Sequence, residues 1–177
     1  MKASVMALTI RAYTAMPREA RDIRERVFIR ERAWRTEFDV RDEPGASTHL
    51  LAFDDDGQAV GTCRFYKDDQ YASSDDARSV HPGTFVIARL AVLSDARGRR
   101  IGSTLLDEAE QRIAATGGTA AAVHAEYDYY QFYECRGYHL TDDVYENGRH
   151  GWLVKPLTVT DEHPHEHQIL SSSAKAA

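Results

Sequence analysis

Arg97, Gly98, Arg99, Arg100, Ile101, Gly102 and Ser103 set three arginines and two glycines between an apolar, β-branched run and a helical pattern. A strand-to-helix junction of this kind gathers free backbone N–H groups and the positive end of a helix dipole, which together receive an anion. Such loops serve several nucleotide classes or are plain left-handed turns with exposed arginines, and here the lysine and hydroxyl of a P-loop are missing. Further along, His124 and Glu126 flank Ala125. In a strand they share one face, as a hydrogen-bonded pair or as a structural histidine beside an exposed acid. Glu37, Asp39 and Asp42 head a stretch, residues 37–76, with eleven acids against three bases. That stretch is expected to form a rim that attracts a cationic substrate. No metal is expected: Cys63 and Cys135 show neither zinc spacing nor a redox CxxC, and both are expected as reduced thiols packed in the fold. His163, His165 and His167 alternate in a biased terminal segment and are not assigned a physiological metal.

The elements that must position these residues follow from periodicity. Leu8, Ile10 and Ala12 alternate with Thr9, Arg11 and Tyr13 and predict a first strand. Pro17 opens a helix with Ala20, Ile23, Val27 and Phe28 on one face, while seven arginines and four acids up to Arg35 predict a solvated, salt-bridged outer face. Residues 49–53 and 59–66 read as a hairpin turned at Asp56-Gly57. Residues 67–83 read as a polar surface loop, and residues 84–93 as a central strand. Ile101, Leu105, Leu106, Ala109 and Ile113 trace a helix ended by Gly117-Gly118, followed by a strand at 119–126. A short aromatic helix at 129–136 stops at Gly137, and residues 138–156 hold one or two strands around Asn147-Gly148.

With 177 residues, 42% hydrophobic and 28% charged, the chain suits one globular domain, assigned to residues 1–157, with 158–177 expected as a disordered tail. A formal charge of −6 argues against a nucleic-acid surface, since phosphate binding needs a basic face. The apolar stretch at residues 5–10 is too short for a signal peptide or a membrane span, so a cytoplasmic protein without a membrane partner is expected.

Taken together with Val86 to Val92 before it, and with Gln131, Phe132, Tyr133, Glu134, Cys135, Arg136, Gly137 and Tyr138 after it, the arginine-rich loop resembles the GNAT acyltransferase superfamily. The superfamily's loop signature reads Arg or Gln, two residues, Gly, one residue, Gly or Ala. Arg97 and Gly102 match its ends and Arg100 replaces the central glycine. Val27-Phe28, Glu37, Asp39, Asp42, His49, the run His124-Ala125-Glu126 and the ending from Val144 to His150 resemble its ElaA and YjcF-like group. Members of that group often carry glutamine where this chain has Glu126 and proline where it has Arg149. The resemblance implies an α/β GNAT fold: a central mixed, mostly antiparallel sheet of six to seven strands flanked by about four helices. It also implies acetyl-CoA or another acyl-CoA as co-substrate, the pyrophosphate on main-chain amides of residues 97–103. Backbone groups of Leu90, Ala91 and Val92 would pair with the pantetheine arm like an added strand, one amide polarising the thioester carbonyl. Tyr133 falls on the family's general acid toward the departing thiolate, and otherwise packs against Phe132.

The attacking amine must be neutral, which makes Glu126, His124 and His150 candidate bases, with His150 foremost a pocket residue and Glu146 and Trp152 shaping the acceptor site. The expected activity is an N-acyltransferase acting on a primary amine of a small molecule or peptide, by direct transfer with no covalent enzyme and with a homodimer as one possible state. Two alternatives keep the fold. Arg24, Phe28 and Trp34 followed by acids and Arg64 are similar to the amino half of acyl-homoserine-lactone synthases, although the acid expected shortly before Arg89 is absent. A non-catalytic acyl-CoA sensor or partner module is the other.

Overall fold

Among the described residues, alternating and β-branched runs fold into seven strands: β1 (Thr9–Tyr13), β2 (Thr48–Phe53), β3 (Ala59–Lys67), β4 (Thr84–Val92), β5 (Ala120–Glu126), β6 (His139–Tyr145) and β7 (His150–Pro156). They form one sheet in the order β1-β2-β3-β4-β5-β7-β6. Every neighbouring pair is antiparallel except β4 and β5. The computed structural model describes residues 8–34, 37–68 and 83–158. The bulk of the surface loop expected at 67–83, and the tail beyond residue 158 with its three histidines, lie outside the described residues.

Three helices flank the sheet among the described residues, one fewer than expected. α1 (Arg18–Arg24) starts after Pro17 and runs on as a π-helical segment, Glu25–Glu31. α2 (Ile101–Ala115) and α3 (Tyr130–Glu134) follow, the latter shorter than expected at both ends: Tyr129 belongs to a separate 3-10 turn, Tyr127–Tyr129, and Cys135 and Arg136 form a turn before Gly137.

The apolar stripe of α2 builds the core on one face. Leu105, Leu106, Ala109 and Ile113 are fully buried, and each large side chain so removed from water contributes about 1.5–3 kcal/mol. The seat is close: a Cβ on Gly61 of β3 would lie 2.9 Å from Ile101 Cγ2 and 3.0 Å from Leu105 Cδ1. Only glycine at position 61 lets α2 settle at this depth.

α1 covers the opposite face, as the alternation of β3 requires. Cys63 turns its sulfur to the Leu105 carbonyl of α2, whereas its neighbour Arg64 joins Arg24 of α1 on a shared carboxylate. Here the helix departs from expectation. Its arginines do not all belong to a solvated face: Arg24 is 1% exposed, drawn inward by acids that lie 13 and 18 residues later in the chain. Cys135 departs too, since it is exposed while Cys63 is buried, with burial pushing the Cys63 thiol up to about 12. No helix among the described residues is long and apolar enough to cross a membrane.

Candidate active site

The one parallel junction of the sheet is also where it opens. Thr84, Phe85 and Val86 pair with Ala120, Ala121 and Ala122, and beyond them β4 and β5 part. A bulge bends β4 at that point: Ala91 opposes Thr62 and Ala88 opposes Arg64, so Arg89 and Leu90 together stand against Cys63. Arg89 takes φ 57° to do so. Through the gap runs a cleft of about 780 Å³, walled by Phe28 and Trp34 from the α1 face and by Ile101, Phe132 and Tyr133 from the α2 face. Leu90, Ala91 and Val92 line it on the edge that β5 has left.

On the α2 face the cleft meets the arginine-rich loop. Gly98 (φ 78°) and Arg100 (φ 63°) are both left-handed. Arg100, where the signature has glycine, therefore holds the conformation that glycine adopts at least cost. The first bond inside α2 runs from Thr104 N–H to the Arg100 carbonyl at 2.9 Å, and no side chain caps the helix. The N–H groups of Ile101, Gly102 and Ser103 are thus the orphan donors of the helix start. Arg97 donates from Nε to the Val92 carbonyl (3.0 Å) and grips Glu31 with both terminal nitrogens at 2.5 and 2.8 Å. The Arg97 hydrogen bond holds the Glu31 carboxyl below its usual range. Of the seven loop residues only Arg99 is not part of the cleft wall. Tyr133 packs edge-on against Phe132 and Tyr138, at 5.0 and 5.6 Å between centroids, and burial pushes its phenol up so that it stays protonated. Cys135 lies outside the cleft.

On the α1 face, strand register collects side chains from three strands. His124 lies opposite Trp152, Glu126 opposite His150, and Tyr145 opposite His150. The rings of His124, Tyr145 and His150 stand within 15° of parallel, 5.3 to 6.1 Å apart, with Trp152 5.2 Å from His124. Of the two arrangements open to His124 and Glu126, the mutual pair does not form, because each has another partner. Glu126 accepts from Arg32 at 2.5 Å, across 94 residues of sequence. Nε2 of His124 meets the Tyr145 hydroxyl. Desolvation, reinforced by His150, lowers the His124 pKa, so the ring is neutral near pH 7. His150 itself lies 3.4 Å from Glu146.

The expected acidic rim is corrected most. Glu37, Asp39 and Asp42 do not stand free for a cation, because three arginines take them up. Arg24 donates from Nε to Glu37 (2.5 Å) and from its terminal nitrogens to Asp42 (2.6 and 3.0 Å). Arg64 bridges Asp42 and Asp39, both at 2.6 Å, and Arg89 lies 2.8 Å from Glu37 and 3.2 Å from Asp39. Burial works to raise the Asp42 carboxyl but is outweighed by Arg24, the Asp39 N–H and Arg64, which hold it well below the usual range. At Asp39 burial is likewise outweighed, chiefly by Arg64. In Glu37 burial prevails over Arg24 and its pKa is raised. His49, 1% exposed, is lowered to about 4 by desolvation and by the charges of Arg24 and Arg64, against the opposing pull of Asp42. Only Asp39, Arg64 and Arg89 of this network reach the cleft.

Arg24, Arg32, Arg64, Arg89 and Tyr145 join the site although the acyl-CoA reading of the sequence gives them no role, Arg24 and Arg64 being marked there only by the likeness to the synthases. Only Tyr145 had a usable local signal: it and His150 bracket the turn at Asn147-Gly148, so hairpin register pairs them across β6 and β7.

Comparison with known proteins gives one family match and a consistent set of folds. The family described as Acetyltransferase (GNAT) matches residues 10–138. A protein of Lactobacillus plantarum assigned as an N-acetyltransferase superposes with a TM-score of 0.71 at 24% identity, covering 86% of this chain and 99% of that one. Escherichia coli ElaA gives 0.67 at 20% identity, covering 85% and 99%. N-acetylglutamate synthase from Neisseria gonorrhoeae, complexed with coenzyme A and N-acetyl-glutamate, gives 0.62 at 17% identity, covering 85% of this chain and 35% of that one. At these identities the likeness to each solved structure is one of fold.

Proposed function

Because the chain belongs to the acetyltransferase (GNAT) family, we propose that it moves an acetyl or short acyl group from CoA to a primary amine of a small molecule or peptide, by direct transfer. The reading is carried by the parting of β4 from β5, which opens one cleft to uncapped helix amides on one face and to a neutral histidine on the other. The donor loop suits an anion such as the CoA pyrophosphate: Ile101, Gly102 and Ser103 offer free N–H groups at a positive helix end, with Arg97 beside them. The edge of Leu90, Ala91 and Val92 suits the pantetheine amides, and an N–H there would polarise the thioester carbonyl. That a protein of the same fold is complexed with coenzyme A supports the donor assignment.

In the transfer, the amine nitrogen bonds to the thioester carbon, the C=O electrons move to oxygen, and their return expels the CoA sulfur. Tyr133 is the acid toward that sulfur, held protonated by burial. A free thiol has a pKa near ~8.5, so thiolate leaves readily and the acid's share is modest. Tyr133→Phe should lower kcat about tenfold, less than the ~10²–10⁴ typical of general acid–base catalysis. On the proton-accepting side His124 is preferred to Glu126, whose carboxylate Arg32 already occupies.

The test is release of free CoA from acetyl-CoA across a panel of primary amines, with calorimetric titration of acetyl-CoA and CoA alongside. Release with at least one amine is expected. A wild-type protein that binds neither acetyl-CoA nor CoA would sink the reading, and tight binding without turnover would turn it toward an acyl-CoA sensor.

A further inference from the structure

The acceptor face holds one contact that the transfer scheme leaves unused. Tyr145 closes β6 immediately before the turn of Glu146, Asn147, Gly148 and Arg149, and both Glu146 and Asn147 take positive φ there. The turn folds β7 back so that Tyr145 lies opposite His150, and the Tyr145 hydroxyl comes onto Nε2 of His124 on the next strand but one. Tyr145 is 41% exposed and lines the cleft, so its hydroxyl is within reach of a molecule held there.

The direction of this hydrogen bond follows from acidity. A phenol is the stronger donor and an imidazole nitrogen the stronger acceptor, so Tyr145 gives its proton toward Nε2 and the histidine carries its own hydrogen on Nδ1. In that arrangement the Nε2 lone pair is already used. A base acting through Nε2 must therefore act through the phenol.

We infer that Tyr145 takes the proton from the attacking nitrogen and in the same motion passes its own phenolic proton to Nε2 of His124. The inference rests on the amine-acylation reading above. Its balance is simple. The N–H bond of the nitrogen breaks, a new O–H forms on Tyr145 as the old one breaks, and an N–H forms at Nε2. Tyr145 ends as a neutral phenol, His124 as an imidazolium, and the nitrogen as an amide. The step falls after the nitrogen has begun to bond to the carbonyl carbon, when its attachment to a carbon bearing oxygen and sulfur makes its proton more acidic than that of a free ammonium. The groups that act on the resulting imidazolium come from four strands. Glu126 on β5 and Asp143 on β6 favour it, while His150 on β7 and Arg89 on β4 oppose it. His124 thus meets the reaction as a neutral ring and has carboxylates near enough to steady the charge it gains.

The decisive variant is Tyr145→Phe, which removes the hydroxyl but keeps the ring that stacks beside His124 and His150. Its kcat with the best amine should fall at least tenfold while the affinity for acetyl-CoA stays unchanged, since general base catalysis contributes on the order of 10²–10⁴. The double variant with His124→Gln should be no slower than either single one, because the two groups act as one unit. Turnover in mixtures of light and heavy water separates a relay from a merely structural role. Wild type should show a curved dependence from two protons in flight, and Tyr145→Phe a linear one. A folded Tyr145→Phe protein with wild-type kcat and the same curvature would overturn the relay and leave the acyltransferase reading intact. Wild type that releases no CoA with any amine would overturn both.

Discussion

The two faces of the cleft are built on opposite plans. The α2 face offers backbone: one strand edge and the three orphan amides of one helix, drawn from two short stretches of chain. Its ion pair, Arg97 with Glu31, is more than 40% exposed on both sides. The α1 face offers side chains from the π-helical segment that follows α1 and from β3, β4, β5, β6 and β7, and it rests on arginines that are 1–2% exposed. A surface made of amides tolerates changes of side chain, whereas one made of desolvated charges depends on every partner being present. On the reading proposed above, the donor, common to a whole family, would meet the first kind of surface, and the acceptor, which must be distinguished, would meet the second.

The largest test of this contrast is Arg24→Ala. Removing the guanidinium leaves Glu37, whose side chain is fully buried, with Arg89 as its remaining cationic partner, and Asp42 with Arg64. Breaking one side of a buried pair costs about 3–5 kcal/mol, to be read from urea denaturation at neutral pH. Arg97→Ala breaks an exposed pair and should cost under about 1 kcal/mol in the same experiment. Equal losses would abolish the distinction between the faces.

Next comes the pH dependence that the α1 face imposes. His49 is buried and lowered to about 4, while in the unfolded chain it titrates near ~6.5. Between those values the unfolded state takes up a proton that the folded state refuses, so stability falls as pH drops from about 6.5 to about 4, by about 3 kcal/mol in all. Glu37, with its raised pKa, works in the opposite sense over part of that window. Comparing wild type with His49→Gln isolates the histidine, and the variant should have the flatter profile. Below that window Asp39 and Asp42, both lowered, lose stabilising charge as they protonate. Parallel profiles for the two proteins would show that His49 is solvated.

How much of each face was legible in the sequence follows from the same contrast. The donor loop is contiguous, its chemistry belongs to the backbone, and its place between a β-branched strand and the stripe of Leu105, Leu106 and Ile113 can be read directly. The hairpin at Asp56-Gly57 and the strand ending at Glu126 are likewise local patterns. The network of Arg24, Glu37, Asp39, Asp42, Arg64 and Arg89 has no such pattern, because its arginines meet their acids across 13 to 52 residues of sequence. In sequence Arg24 is one of seven arginines on a helix and Glu37 one of eleven acids, and only the packing of α1 on β3 selects which of them lose water. Tyr145 lies between these cases. Its pairing with His150 follows from a turn, but its approach to His124 requires knowing that β7 sits between β5 and β6.

A smaller effect concerns the strap between the faces. Glu31, the last residue of the π-helical segment, and Arg32, the next, reach opposite ways, Glu31 to Arg97 of the arginine-rich loop and Arg32 to Glu126 of β5. Glu31 is held ionised by Arg97 and so competes with any incoming phosphate for that guanidinium. Glu31→Gln should tighten acetyl-CoA binding about fivefold in calorimetry, close to 1 kcal/mol, with unfolding stability changed by less than about that amount. Unchanged affinity would mean that Arg97 serves the loop's shape through its bond to the Val92 carbonyl and not the ligand's charge.

The smallest effect probes the residue at which the loop departs from its family's pattern. A left-handed backbone costs a non-glycine residue roughly 1–2 kcal/mol, and glycine recovers this less its own larger loss of chain entropy, about 0.5–1 kcal/mol. Arg100→Gly should therefore raise stability by about 0.5–1 kcal/mol, read as a higher midpoint in urea. If the loop holds its anion through the amides of Ile101, Gly102 and Ser103, the same change leaves acetyl-CoA affinity within about twofold, because the φ of 63° that aims those amides is kept. A loss of tenfold or more would make the Arg100 side chain part of the site. The donor face would then share the dependence on individual charges that marks the face across the sheet.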